Sequence, residues 1–218
     1  MKKQIVVIGL GQFGMGLVKT LATRDVEVIA VDTDEKRIHQ AAALVDKVYC
    51  FDATEEDAVA QLMPASRDVC ICATGDQSKE AAIICTALLK QMGAKRVIAR
   101  ANDELHSRIL KLVGADEVIN PEWEFGARFA NRIISESILE QMSLGADLVV
   151  TELKVPARFA NQSLVDLNLR KQFGVTVIAL RNENGGIVRP ASPNEILQES
   201  DILILVSQRG SVEKMIEA

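Results

Sequence analysis

Three glycines and an acid carry the chemistry legible in this chain. Gly9, Gly11 and Gly14 fall in the run Gly9-Leu10-Gly11-Gln12-Phe13-Gly14, behind the apolar segment Ile5–Ile8 and ahead of a helical stretch. Gly9 allows a sharp turn after a strand. Gly11 leaves the backbone bare for a phosphate group, and Gly14 lets the next helix lie close on a sheet. The amides at such a helix N-terminus favour an anion. A second apolar run, Glu27–Val31, ends in Asp32, at the ~20-residue spacing from the turn at which an acid hydrogen-bonds a ribose. Strand, glycine turn, helix and acid together point to nucleotide binding. The alternative is a domain that keeps the turn and has lost its ligand. A carboxylate at the ribose favours a free 2′-hydroxyl, so NAD or an adenine nucleotide is expected over NADP.

Those residues need a frame. Strand patterns at 5–8, 27–32, 47–51, 69–73, 96–100 and 117–120 alternate with helical ones at 34–45, 78–92 and 103–113. This rhythm predicts an α/β fold with a Rossmann-type doubly wound parallel sheet. Ligands of such sheets sit beyond the carboxyl ends of the strands. That puts Gly9–Gly14, Asp32, Asp52-Ala53-Thr54, Thr74-Gly75 and Arg100 on one rim. Asp52 or Thr54 is placed to cap the next helix.

Pro121 opens a helix expected to run to Ser143, with Phe125, Phe129 and Ile133 at spacing four. Its broad apolar face suits a subunit contact as well as packing on its own domain. Leu144–Asp147 breaks the pattern. The rest reads as a small α+β domain with an antiparallel sheet. Its strands are expected at 148–155, 175–180, 187–189 and 201–206, its helices at 163–173 and 211–216, and a hairpin turn at Asn182–Gly186. The expected domains are a nucleotide-binding domain at 1–121, a long crossover helix at 122–144 and a C-terminal domain at 145–218.

The formal net charge of −5 weighs against a nucleic-acid partner, which calls for a basic face. No apolar run reaches the ~18 residues needed to span a bilayer. Met1-Lys2-Lys3 runs into the first strand without a signal-peptide cleavage region. The expected location is the cytoplasm, with any membrane role mediated by a partner. Cys70 and Cys72 alternate within a buried strand; with Cys50 and Cys85 they read as structural thiols, not as a metal site or a disulfide framework. His39 and His106 read as surface residues. Arg170 and Arg181 in the C-terminal domain fit either an anionic effector or solvated surface charge.

The chain resembles the RCK proteins, the cytoplasmic TrkA/KtrA-type regulators of potassium transport, over essentially its whole length. The resemblance rests on Gly9–Gly14, Val31-Asp32, Asp52-Ala53-Thr54, the segment Gly114–Glu122 and the C-terminal run Ile196–Val206. It implies a nucleotide, ADP, ATP or NAD(H), in the N-terminal domain. It implies a homodimer built through the crossover helix and a ring, commonly octameric, under a TrkH/KtrB-like potassium-conducting membrane subunit. The chain would then sit at the inner face of the membrane. In some relatives the C-terminal domain binds cyclic di-AMP. By the same resemblance Gly9, Gly11 and Gly14 form the phosphate turn, Asp32 is the ribose acid, and Asp52 and Thr54 lie beside the adenine. Glu122 stands where relatives place a glutamate associated with Mg2+ or another divalent cation. Many KtrA-type members carry an arginine between Gly11 and Phe13, reaching a terminal phosphate across the dimer. Here the residue is Gln12, whose neutral amide supplies no charge. Arg100 is the rim's own source of it.

A regulator and a small NAD-dependent oxidoreductase both fit the glycine turn. A dehydrogenase usually needs a positioned acid or base such as His, Lys or Tyr, and the rim segments offer Arg100 and little else. No Gly-x-Ser-x-Gly, His-Glu-x-x-His or Walker motif occurs. The regulator is therefore the preferred reading, with a redox-responsive binding protein using Cys70 or Cys72 as a third.

Overall fold

The computed structural model describes residues 2–75, 79–134, 136–183 and 188–217, in two compact units that divide after Trp123. The first unit runs β1 (Lys3–Ile8), α1 (Gln12–Ala22), β2 (Val26–Asp32), α2 (Glu35–Ala42), β3 (Lys47–Cys50) and α3 (Glu56–Ala60). It continues with β4 (Val69–Cys72), α4 (Lys79–Gln91), β5 (Val97–Arg100), α5 (Glu104–Leu112) and β6 (Glu117–Ile119). The strands form one parallel sheet in the order β3-β2-β1-β4-β5-β6.

The central strands are apolar at nearly every position because helices cover both faces of a parallel sheet. The period of two still shows. Val6, Ile8, Ile29, Val31, Cys70 and Cys72 enter the core on one side. Ile5, Val7, Val28, Ala30, Val69 and Ile71 enter the core on the other. α2 and α5 begin where the sequence supplies a side-chain cap: Asp34 accepts from Lys36 N, and Asp103 from His106 N. α3 differs from expectation. Glu55 takes its cap position without a side-chain bond, and the Asp52 carboxylate accepts from Thr54 N and Oγ1 instead of capping the helix.

α6 (Pro121–Ile134) starts at the end of the first unit. The second unit contains β7 (Ile138–Gly145), β8 (Leu148–Lys154), α7 (Leu164–Leu167), α8 (Leu169–Phe173), β9 (Thr176–Asn182), β10 (Arg189–Pro190), β11 (Asp201–Gln208) and α9 (Ser211–Glu217). Its antiparallel sheet has the order β10-β9-β11-β8-β7. Leu153, Leu180, Leu203 and Leu205 form its core with Val212 and Met215 of α9.

The helix expected to reach Ser143 ends at Ile134, and residues 138–145 are a strand. Gly145 (φ 110) and Ala146 (φ 47) turn the chain back in left-handed conformations, so β7 pairs along β8 with Gly145 opposite Leu148. That pairing buries Ile138 and lets Gln141 Nε2 donate to Thr151 Oγ1. Pairing and burial outweigh the apolar spacing that continued the helical pattern. The single helix expected at 163–173 is two, broken at Asn168 (φ 42), a residue type that tolerates the left-handed region. The turn at Asn182–Gly186 and the start of the strand at 187 fall largely outside the described residues.

Candidate functional site

β1 ends at Ile8 and the chain reverses at Gly9, whose φ is 92 and whose N–H donates to Val31 O at 2.8 Å. A Cβ there would stand 2.8 Å from Thr74 N, and one on Gly14 only 1.8 Å from Gly9 O. The protein's own packing demands both glycines. Gly11 is different. Its φ of −62 suits any residue, and a Cβ on it would meet nothing within 4 Å. The space it leaves is open, at the N-terminus of α1.

That space belongs to a cleft of about 650 Å³ at the carboxyl ends of the strands. It lies where the sheet order reverses between β1 and β4, the position at which open α/β sheets take their ligands. The cleft gathers Gly9, Gly11, Gln12, Phe13, Asp32, Asp52, Ala53, Thr54, Thr74, Gly75, Arg100 and Glu122. Gly14 is not in its wall; it packs behind the turn. Thr33, Arg37, Phe51 and Cys85 also line it and were not foreseen. Arg37 had a signal, its place in the first turns of the helix after Asp32. Cys85 had none.

Asp32 is buried and does two jobs. Its Oδ2 accepts from Leu10 N at 2.5 Å and its Oδ1 from Asp34 N at 2.9 Å. Arg37 Nη1 stands 3.5 Å from Oδ2. The carboxylate thus ties the β1–α1 turn to the β2–α2 turn. Oδ2 is shared between Leu10 N and Arg37 Nη1, and Oδ1 keeps a second lone pair for a hydroxyl from the cleft. Asp52 Oδ1 accepts from Thr54 N and Oγ1, at 2.9 and 2.8 Å, which fixes the loop on the opposite wall. Arg100 is buried at the end of β5, and its Nη2 donates to Glu122 Oε1 at 2.6 Å.

Among the described residues no group of three or more His, Cys, Asp and Glu could hold a metal ion. A cation at Glu122 would take its remaining oxygens from phosphate or water, as Mg2+ commonly does. No Lys, His or Tyr lines the cleft among the described residues.

Cys70, Cys72 and Cys85 are buried free thiols, and Cys50 is exposed. Burial pushes the Cys70 thiol up to about 11. The neighbouring Cys85 thiol, helped by the Thr74 hydroxyl 3.4 Å from Cys72 Sγ, holds Cys72 below the usual thiol range while the Cys85 thiol is pushed well up. His106, expected at the surface, is buried: it lies one turn before Leu110 on the inner stripe of α5. Its Nδ1 accepts from Asn102 N at 3.4 Å, and burial lowers its pKa. His39 is exposed as expected. In the second unit Arg181 is paired with Glu152 at 2.5 Å, while Arg170 is exposed on α8.

The TrkA-N domain family model matches residues 5–121, and the TrkA-C domain model residues 148–218. The chain belongs to the RCK family, of TrkA/KtrA type. This RCK chain is 32% identical to Ktr system potassium uptake protein C of Bacillus subtilis (strain 168), over 97% of its own length and 94% of the relative's. It is 33% identical to Ktr system potassium uptake protein A of Vibrio alginolyticus, over 99% and 97% of the two chains. Among solved structures, the GsuK channel bound to NAD superposes with a TM-score of 0.65 at 17% identity, covering 97% of this chain. That likeness is one of fold, and this RCK chain spans 38% of the channel's chain. No helix among the described residues is long and apolar enough to cross a membrane.

Proposed function

We propose that this chain is the nucleotide-sensing regulatory subunit of a membrane potassium-uptake system. The observation that carries the reading is the open space at Gly11. The fold does not require a glycine there, yet a phosphate approaching the N-terminus of α1 does. In this reading the phosphates of ADP, ATP or NAD(H) lie against the amides of residues 11–13. Asp32 takes the ribose, and Asp52, Ala53 and Thr54 flank the adenine. Thr74 and Gly75 form the facing wall, and Arg100 reaches the phosphates. Glu122 joins the phosphate oxygens in holding a divalent cation when one is bound. Gln12 brings no charge to a γ-phosphate, which favours ADP or NAD(H) over ATP at this site. The cleft binds its ligand without turnover.

The ligand acts by binding one shape of the assembly better than another. The assembly is a homodimer, built into a ring, commonly octameric, against a potassium-conducting membrane subunit. α6 offers the surface for a second copy: Phe125 stacks on Phe129 with ring centroids 5.8 Å apart, yet Phe125 is 61% and Ile133 66% exposed in the single chain. The chain would work at the inner face of the membrane. The test is growth of a potassium-uptake-deficient strain on low potassium. Rescue is expected only when this chain is expressed with its pore subunit, and the rescue should weaken in Gly11→Ala. Rescue by the pore subunit alone to the same level, or hydride turnover by the purified chain on a defined substrate, contradicts the proposal.

A further inference from the structure

Resting on the nucleotide reading of the cleft, we infer that Arg100 selects phosphorylated ligands and that Glu122 is its resident competitor, displaced when a phosphate arrives. Arg100 stands in the cleft wall with 10% of its side chain exposed, its Nη2 bound to Glu122 Oε1 at 2.6 Å. Its Nε is buried and has no hydrogen-bond partner among the described residues. Its Nη1 lies 3.4 Å from where a Cβ on Gly75 would stand, which places the guanidinium beside that stretch of the cleft wall. A buried charged donor left unpaired is costly. The Glu122 carboxylate satisfies one arm of this guanidinium, and a phosphate oxygen in the cleft competes for that arm.

The two partners are unequal. The Glu122 side chain is 60% exposed, in the first turn of α6, and can swing into solvent; the Arg100 side chain is enclosed. The charged groups of the cleft are Arg37 and Arg100 against Asp32, Asp52 and Glu122. Asp32 is held by two backbone donors and Arg37, and Asp52 by a backbone and a hydroxyl donor. Glu122 is held by Arg100. A phosphate oxygen arriving at that guanidinium meets a carboxylate at contact distance, and the like charges repel. With no divalent cation to bridge the two anions, the exposed acid leaves and the enclosed base stays. An uncharged nucleoside does not force the exchange. The charge of the ligand is thereby read at the first turn of α6. Trp123, the sole tryptophan of the chain, follows Glu122 in the first turn of α6 and is the probe for its release.

The full chain is titrated with ADP and with adenosine, in buffer containing a chelator, by calorimetry and tryptophan fluorescence. ADP should change the Trp123 emission, and saturating adenosine should not. Glu122→Gln should tighten ADP binding about two- to fivefold, the scale of one exposed ion pair, and leave adenosine unchanged. Arg100→Gln should weaken ADP about tenfold or more, and adding Glu122→Gln to it should bring no further gain. Unchanged ADP affinity in Glu122→Gln, or a gain that persists without Arg100, overturns the exchange while the cleft reading stands. Failure of ADP to bind the wild-type chain overturns both.

Discussion

Replacing Asp32 should damage the fold and the ligand site by separable amounts. The Leu10 N–H donates to Asp32 Oδ2 at 2.5 Å in a buried setting, a bond to a charged acceptor of about 1.5–3 kcal/mol. The Asp34 N–H donates to Oδ1 at 2.9 Å in a partly buried one, about 0.5–1.5 kcal/mol. Asp32→Ala removes both and should cost about 2–4 kcal/mol, a large share of the ~5–15 kcal/mol of a typical domain. Asp32→Asn keeps one acceptor oxygen but sets an amide N–H against a backbone N–H, so it should cost about 1–2 kcal/mol. Both should lose the charged acceptor for the ribose hydroxyl and weaken ADP about ten- to hundredfold. The assay pairs urea unfolding, read on the transition that ADP shifts, with calorimetric titration. An Asp32→Ala chain as stable as wild type would refute the bracing role. An Asp32→Asn chain that binds ADP as tightly as wild type would refute the ribose role.

Two glycines of α1 give opposite expectations. Gly14→Ala drives a Cβ to 1.8 Å from Gly9 O and should destabilise by about 2–3 kcal/mol or more. Gly16→Ala meets nothing within 4 Å and should stabilise by about 0.5–1 kcal/mol; urea midpoints decide. The pKa of His106 is lowered by burial from 6.5, so the folded chain favours the neutral imidazole. Its contribution is whole above pH 6.5 and is lost as pH falls from there through the lower folded-state value. Denaturation midpoints at about pH 7.5 and 5.5 should therefore converge in His106→Gln relative to wild type. An equal acid loss in both chains would count against this. With Ellman's reagent Cys50 should react in the native chain, while Cys70, Cys72 and Cys85 wait for unfolding. Rapid labelling of a second thiol would contradict their burial.

The central sheet was legible because its strands are apolar on both faces and each runs into a glycine, an acid or a cap. Gly9, Gly11 and Gly14 could be found together, but only the structure separates their reasons. Two are forced by backbone contacts, and one faces open space. β7 was missed because Phe125, Phe129, Ile133 and Ile138 continue an approximate helical spacing, and Gly145-Ala146 reads equally as a domain break or a hairpin turn. His106 was misplaced because residue type pointed outward while its position one turn before Leu110 pointed inward. Cys85 reaches the cleft through the seating of α4 on the sheet, a tertiary fact with no local signature. The Arg100–Glu122 pair joins a rim residue that the strand pattern indicates to one that only the family resemblance puts near the phosphates, and their contact depends on where β5 ends and α6 begins.

The most direct test of the account is calorimetric titration of the purified chain with ADP and NAD, in wild type and in Gly11→Ala, with stability measured on the same samples. Gly11 has no neighbour for a Cβ and an unstrained φ, so the variant should stay within about 1 kcal/mol of wild-type stability, the cost of alanine at a helix N-cap. The account predicts that wild type binds at least one of the two nucleotides and that Gly11→Ala loses about tenfold or more in affinity, as a displaced phosphate contact would. A wild-type chain that binds neither, or a Gly11→Ala chain that binds as well as wild type, would contradict it.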